Sequence, residues 1–150
     1  MKRETFSLVQ IENFWNKDKI ITEENLGEFN RNIPALHGKY HQIYNTECIH
    51  RRILETNKKQ LWMTLKKYYL GMSTREELKQ IEREPFNYKI LKTEVSDYIE
   101  SDDEYCTLMS RITGSETKLK YLESILQTIN RSSFIVKTQL DLIKFRDGEY

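Results

Sequence analysis

Two long stretches of the chain repeat apolar side chains at steps of three and four residues, which keeps them on one face of a helix. The first stretch predicts a helix from about Pro34 to Tyr69. Its apolar positions are Leu36, Tyr40, Ile43, Leu54, Leu61, Leu65 and Tyr68, with polar Glu47, His50 and Asn57 on the remaining rungs. The pattern is close to a heptad seam. Gly71 fits the position that ends such a helix.

The second stretch is the cleanest heptad of the chain. Residues 101–104, Ser-Asp-Asp-Glu, have the form of a capping box and predict the start of this helix. Its seam runs through Tyr105, Leu108, Ile112, Ser115, Leu119, Leu122, Leu126 and Ile129. We expect a break near Arg131–Ser133 and a last helix from about Phe134 to Gly148, so the C-terminal part is predicted as a helical pair.

The other segments predict shorter elements. Residues 4–16 suit a short amphipathic helix with Phe6, Val9 and Phe14 on its apolar side. Thr22 reads as the N-cap of a second short helix, and the residue before Pro34 resists helical geometry, which predicts a break there. Residues 72–100 stay unresolved, because the run FNYKIL suits a strand or a helix.

Five Gly and two Pro are too few for a turn-rich β fold, so the fold class is predicted as all-α. We divide the chain into an N-terminal helical region (1–72), a mixed connecting segment (73–100) and a C-terminal helical region (101–150). A helical pair of that size rarely stands alone without a disulfide, metal or partner. Self-association is therefore expected, and the alternative is that the pair folds back on the long helix. The candidate oligomerisation residues are Leu108, Ile112, Leu119, Leu122, Leu126, Ile129 and Phe134.

Charge is segregated along a chain whose net charge is only +1. Residues 38–71 carry seven Lys or Arg against two Glu, a net of +5, and residues 93–110 carry six acidic residues and no Lys or Arg. A local basic patch can bind an anion even when the net charge cannot. The acidic stretch is our candidate for a protein contact, although both stretches also suit solvated faces.

A helical wheel of the long helix places the basic residues on two neighbouring stripes. Arg52, Lys59 and Lys66 form a line at spacing 7, opposite the apolar face. A flanking stripe alternates cations and aromatic rings: Tyr44, Arg51, Lys58, Trp62 and Tyr69. Cations neutralise phosphates and aromatic rings stack on unpaired bases, so if the ligand is a nucleic acid, the pattern favours single strands over duplexes. With Lys67 added, these nine residues are the candidate binding set. The alternative is that Trp62 and Tyr69 pack in a core or a subunit interface, with the lysine stems beside them.

Other chemistry has little support. Cys48 and Cys106 form no CxxC motif, which favours a reducing cytoplasm, and no segment resembles a signal peptide or a membrane span. His37, His41 and Cys48 lack a fourth ligand, so no metal or other cofactor is expected. The acidic cluster at 100–104 is explained by helix capping rather than by a nuclease site. No phosphate loop or catalytic motif is present, and we expect no enzyme activity.

Several motifs occur in an order that resembles the UvsY recombination-mediator family of tailed bacteriophages, and the versions from phages of cyanobacteria most of all. The motifs are Phe14-Trp15 with Asp18 and Ile20-Ile21; Leu36-His37-x-Lys39-Tyr40; Tyr68-Tyr69-x-Gly71; Pro85-Phe86-x-x-Lys89-Ile90-Leu91; Val95-x-x-Tyr98-Ile99-Glu100-Ser101-Asp102; and Arg131-x-x-Phe134-x-Val136-Lys137 with Phe145-x-x-Gly148. They span nearly the whole chain. The stretch Leu61–Leu65 departs from the T-even form, which carries a basic pair there.

The resemblance implies a cytoplasmic protein of the phage-infected host cell that acts in recombination, repair and replication. It would bind single-stranded DNA, form a ring of six or seven copies, and load a RecA-like recombinase onto DNA covered by single-strand-binding protein. It places DNA binding on basic residues of the helix before Tyr-Tyr-x-Gly, here Lys58, Lys59, Lys66 and Lys67 with Arg51 and Arg52, and oligomerisation on the C-terminal helices. The alternative function is a helical adaptor whose basic stripe contacts protein.

Overall fold

Five helices and their connections make up the computed structural model, which describes residues 4–148. They are α1 (Leu8–Asp18), α2 (Leu26–Tyr69), α3 (Arg75–Gln80), α4 (Val95–Glu100) and α5 (Asp103–Arg146). No β-strand occurs within those residues, so the all-α prediction is confirmed. The run FNYKIL lies in a connection between α3 and α4 that is neither helix nor strand.

Helix α2 continues through Pro34, where the sequence predicted a break. Proline removes one backbone donor and so frees the carbonyl group one turn earlier. Pro34 and Asn30 are both exposed, so water can solvate that carbonyl, while Ile33 and Leu36 pack into apolar clusters on the other side. Apolar packing therefore outweighs the lost hydrogen bond.

The start of α2 was also predicted wrongly. Residues 22–25 form a turn in which the Asn25 side chain accepts from the Thr22 backbone N–H at 2.7 Å and donates to the Ile20 carbonyl at 3.0 Å. The chain therefore turns before α2 begins at Leu26, and Thr22 does not cap a helix. A capping box of Ser7 and Gln10 starts α1 at Leu8. Val9, which was predicted on its apolar side, is exposed, and Ile11 is buried because it packs in the cluster that contains Tyr40.

Helix α5 is one helix where a pair was predicted. Ser132 is buried, and its hydroxyl donates to the Thr128 carbonyl of the preceding turn at 2.9 Å. This internal hydrogen bond satisfies the hydroxyl without breaking the helix. Val136, one turn later, is buried as well, so the apolar face continues beyond the predicted break.

The chain forms two compact units, which cut across the three predicted segments. One contains the residues up to His50 and those from Glu116 onward, and the other is Arg51–Ser115. The core of the first unit contains Ile11, Tyr40, Leu122, Ile125 and Ile129. The core of the second contains Leu65, Val95, Ile99 and Tyr105.

Most residues of the α5 heptad are buried by contacts within the same chain. Of the seven candidate oligomerisation residues, Ile112, Leu119, Leu122 and Ile129 are buried, and Leu108 and Leu126 are half-buried. Only Phe134 of this set keeps most of its surface exposed. Glu47, a polar residue on the apolar face of α2, is also buried, and its carboxylate pairs with Lys118 of α5 at 3.0 Å. The six other residues have little exposed area left for a second copy to cover. Their role in a contact between copies stays a prediction.

The end of α2 follows the prediction for Gly71. Gly71 has a φ of +70°, its N–H donates to the Tyr68 carbonyl, and the Met72 N–H donates to the Lys67 carbonyl, both at 3.0 Å. This is the Schellman arrangement, which requires a left-handed residue after the helix. It sets the direction in which the chain leaves the basic end of α2.

We expect Gly71→Ala and Gly38→Ala to change stability in opposite directions. An added Cβ meets no atom within 4 Å at either position, so only backbone preference differs. At Gly71 the left-handed backbone costs about 1–2 kcal/mol with a side chain. Within α2, Gly38→Ala should raise the free energy of unfolding by about 0.5–1 kcal/mol. Urea unfolding of both variants checks this, and a stabilised Gly71→Ala would contradict the assigned geometry.

Candidate nucleic-acid interface

The line of cations at spacing 7 is exposed on α2. Arg52, Lys59 and Lys66 are all exposed, and none of them has an ion pair with another residue in the range 4–148. Seven residues of α-helix rise about 10 Å, so the three cations extend over about 20 Å of one face. Three unneutralised charges in a row form a positive stripe in contact with water.

The remaining basic candidates are more engaged. Lys67 is exposed, but its ammonium group pairs with the Glu77 carboxylate of α3 at 2.6 Å. Arg51 and Lys58 are half-buried, and Arg51 interacts with another group. A bound phosphate would have to displace Glu77 from Lys67, whereas it would find Lys59 and Lys66 open.

The aromatic candidates of the second unit pack against its core. The Trp62 ring lies edge-on to Tyr105, with ring centroids 5.7 Å apart. The Tyr69 ring lies edge-on to Phe86 at 5.0 Å. Both residues are half-buried beside the cluster that contains Leu65. The structure therefore does not bring them onto the exposed line of cations, and their stacking on bases stays a prediction.

Tyr44, the third aromatic candidate, lies in the first unit. Its hydroxyl donates to the Glu123 carboxylate at 3.1 Å, and this hydrogen bond, together with burial, raises the pKa of Tyr44 to about 12. The side chain is half-buried. Its role in binding also stays a prediction.

A buried ion pair, which the sequence did not reveal, lies beneath the basic end of α2. Asp102 is the N-cap of α5 and accepts from the Glu104 N–H at 3.0 Å. Its two oxygens also accept from the two terminal nitrogens of Arg83, at 2.6 and 2.9 Å, and from the Tyr69 hydroxyl at 2.6 Å. We call Tyr69, Arg83 and Asp102 the Arg83–Asp102 network.

The network sets the protonation of its members. Burial raises the pKa of Asp102, but the hydrogen bonds and charge of Arg83 and the Tyr69 hydrogen bond more than offset it, leaving a pKa of about 2. The hydrogen bond to Asp102 raises the pKa of Arg83, and burial together with Asp102 raises that of Tyr69 to about 12. Asp102 is therefore charged and Tyr69 neutral over the physiological range.

The network also holds the connecting segment onto the helices. Arg83 follows α3, and its guanidinium lies 5.1 Å from the centre of the Tyr68 ring, which itself lies near the end of α2. No sequence signal indicated Arg83, and Asp102 read only as part of a capping box. Within the acidic stretch 93–110, Asp102 is paired with Arg83, and Glu104 lies 3.3 Å from the same guanidinium. A protein partner would therefore contact the other exposed acidic residues of that stretch.

Two other kinds of feature are absent from the described residues. Within 4–148, no three His, Cys, Asp or Glu side chains are grouped so that they could hold a metal ion. None of the helices in that range is long and apolar enough to cross a membrane. His37 and His41 stack on each other at 5.6 Å, and Asn45 hydrogen-bonds His41.

Comparison with known proteins decides the family. The family model described as "Recombination, repair and ssDNA binding protein UvsY" matches residues 14–149. The chain belongs to the UvsY family. A crystal structure of the bacteriophage T4 recombination mediator protein UvsY superposes with a TM-score of 0.76 at 18% identity, over 95% of this chain and 98% of that one. No curated protein matches the chain.

The family resemblance of the motifs is thereby confirmed, and the UvsY fold is shared. Four residues of those motifs, Tyr69, Phe86, Tyr98 and Asp102, meet in the second unit. The Tyr98 ring lies 5.5 Å from Tyr69 and 5.8 Å from Phe86. These residues of the UvsY motifs therefore pack together and support the basic end of α2. Membership of the UvsY family supports a role in single-stranded DNA binding and recombination.

Proposed function

We propose that the chain is a non-enzymatic recombination mediator that binds single-stranded DNA along the exposed cations of α2. The observation that carries this proposal is the line of Arg52, Lys59 and Lys66, exposed and without ion pairs among residues 4–148, in a member of the UvsY family. When an exposed Lys or Arg contacts a phosphate, a counterion held by the nucleic acid is released, whatever the base sequence. Lys58, Lys67 and Arg51 flank the line as secondary contacts.

Assembly into a ring would multiply this weak patch. A single copy offers only a few cations, so its affinity should be low and strongly dependent on salt. Several copies on one strand raise the effective concentration of each patch without any new contact. We infer a ring of six or seven copies, which would bend the bound strand, weaken the hold of the single-strand-binding protein and present DNA to a RecA-like recombinase in the infected host cell.

The C-terminal end of α5 supplies a surface for such assembly. Phe134, Ile135 and Leu142 are exposed and lie within about 100° of one another on the helical wheel. Val136, which is buried, lies on the opposite side. An exposed apolar face that lies opposite a packed one suits a helix partner from another copy.

A fluorescence-anisotropy titration tests the DNA-binding proposal. Labelled oligo-dT and a duplex of equal length are titrated at about 50 and 200 mM salt. We expect tighter binding of the single strand and a steep loss of affinity at the higher salt. Equal binding of both forms, or no binding at either salt, would favour the adaptor alternative, in which the basic stripe contacts protein.

Assembly is tested by a double substitution on the exposed face. Phe134→Ser with Leu142→Ser should shift the particle measured by light scattering from an oligomer to a monomer, because both side chains are exposed and should not affect folding. The control Val9→Ser with Ile20→Ser changes two apolar residues of the N-terminal part that are also mostly exposed. An unchanged particle mass in the first variant would remove this face from the interface.

A further inference from the structure

An open groove of about 570 Å³ lies beside the basic end of α2. That volume is within the range of about 300–1,000 Å³ found for ligand pockets. Its apolar wall is formed by four side chains: Met63, Leu70, Met72 and Ile81. Lys66, Lys67 and Glu77 lie at its polar side. All of these residues belong to the second unit.

The two methionines of the groove are unusual in their exposure. Met63 and Met72 each keep 64% of their surface in contact with water. Exposed apolar area costs free energy that a ligand recovers when it covers the side chains. Methionine is flexible and polarisable, and its sulfur makes favourable contacts with aromatic rings. The groove wall therefore suits a flat, apolar group.

The charges at the groove restrict the identity of that group. Lys66 lines the groove, and Lys59 lies one helical turn before Met63 on the same face. Glu77 also lines it, but its carboxylate is paired with Lys67. A ligand that fits must therefore combine flat apolar groups with a negatively charged backbone.

We propose that unpaired nucleobases of the bound strand enter this groove while Lys59 and Lys66 contact the neighbouring phosphates. This inference rests on the proposed function and adds the site that distinguishes single from double strands. Bases of a duplex are stacked and paired, so they cannot enter the groove. Trp62 and Tyr69, the rings expected to stack on bases, are packed against Tyr105 and Phe86, whereas the groove is an open apolar surface beside Lys59 and Lys66.

Methionine-methyl NMR of the full-length protein tests the groove. Met63 and Met72 report on it, and Met109, which packs against the core of the second unit, is an internal reference. We expect oligo-dT to shift the Met63 and Met72 methyl signals upfield through the ring currents of the bases, with Met109 unmoved. An abasic strand of the same length carries the same phosphates and should bind without these shifts.

The Met63→Gln variant provides an affinity measurement that does not depend on the NMR assignment. Because Met63 is mostly exposed, the change should leave folding intact. We expect oligo-dT to bind about two- to tenfold more weakly, as for the loss of a sulfur–ring contact. Affinity for the abasic strand should not change. Met109→Leu serves as the control away from the groove.

The possible outcomes separate this inference from the proposed function. If oligo-dT binds with the expected salt dependence but leaves the Met63 and Met72 signals unmoved, the proposed base-binding groove is overturned and the DNA-binding function is retained. The absence of any oligo-dT binding overturns both. Shifts produced instead by a synthetic peptide of alternating Asp and Phe, with none from oligo-dT, assign the groove to a protein partner and overturn the inference.

Discussion

Asp102→Asn is expected to lower the free energy of unfolding by about 3 kcal/mol, because this isosteric substitution breaks a buried ion pair. Only 3% of the Asp102 side chain is exposed, and it neutralises Arg83. Removal of one partner of a buried ion pair costs about 3–5 kcal/mol, because the other charge stays buried without compensation. We take the lower end because 19% of the Arg83 side chain is exposed and Glu104, 3.3 Å away, still compensates part of its charge.

Urea unfolding at pH 7 and constant protein concentration measures this change. The control Asp97→Asn removes an exposed carboxylate five positions away, on α4, and should cost less than about 0.5 kcal/mol. In a double-mutant cycle, Asp102→Asn with Arg83→Gln should cost less than the sum of the single changes. An Asp102→Asn variant as stable as Asp97→Asn would show that the Arg83–Asp102 network does not stabilise the second unit.

The same network predicts how stability depends on pH. The pKa of Asp102 is about 2 in the folded chain and 3.8 for an ordinary Asp side chain. A lowered folded-state pKa contributes stability that is present above the ordinary pKa and is lost as the pH falls from about 4 toward 2. Wild-type protein should therefore lose stability over this interval. Asp102→Asn should show a flatter profile there, and identical slopes would contradict the assignment.

The triple variant Arg52→Ala, Lys59→Ala and Lys66→Ala is expected to weaken binding of oligo-dT by about tenfold or more at physiological salt. The slope of log affinity against log salt should fall by about 2 for each bound copy, since each lost phosphate contact removes about 0.7. All three side chains are exposed, so stability and particle mass should not change. Anisotropy titrations at several salt concentrations give both quantities.

A matched control removes the same charges from elsewhere on the surface. Arg31→Ala, Lys17→Ala and Lys19→Ala delete one Arg and two Lys that are exposed in the first unit. If overall charge governed binding, both triple variants would weaken it equally. A loss confined to the α2 variant locates the contact, and equal losses would contradict the proposed stripe.

Periodicity predicted the long helical stretches and the buried face of α2, but it did not predict α3 or α4. It also could not say what covers an apolar face. The α5 heptad suited contact with another copy as well as with the same chain, and the structure fills most of it within the chain. Pro34 and Ser132 were expected to break helices because local preference opposes them. Packing of Ile33 and Val136 is a long-range effect that no local pattern reports.

The cationic part of the candidate site followed from spacing, because a repeat of seven keeps Arg52, Lys59 and Lys66 on one exposed face. The aromatic part did not follow so simply. The Trp62 ring packs on Tyr105, and the Tyr69 ring packs on Phe86. Both partners lie outside α2, beyond the reach of its repeat. The Arg83–Asp102 pair likewise joins residues 19 positions apart, with no repeat to indicate it.

The most direct test of the mediator function is the rate of DNA-dependent ATP hydrolysis by a RecA-like recombinase on a single strand already covered by single-strand-binding protein. We predict that the wild-type chain restores a rate that the covering protein suppresses. The Arg52, Lys59 and Lys66 triple variant should fail to do so, while the Arg31, Lys17 and Lys19 control succeeds. A wild-type chain that binds the strand but leaves the rate suppressed would contradict the mediator function.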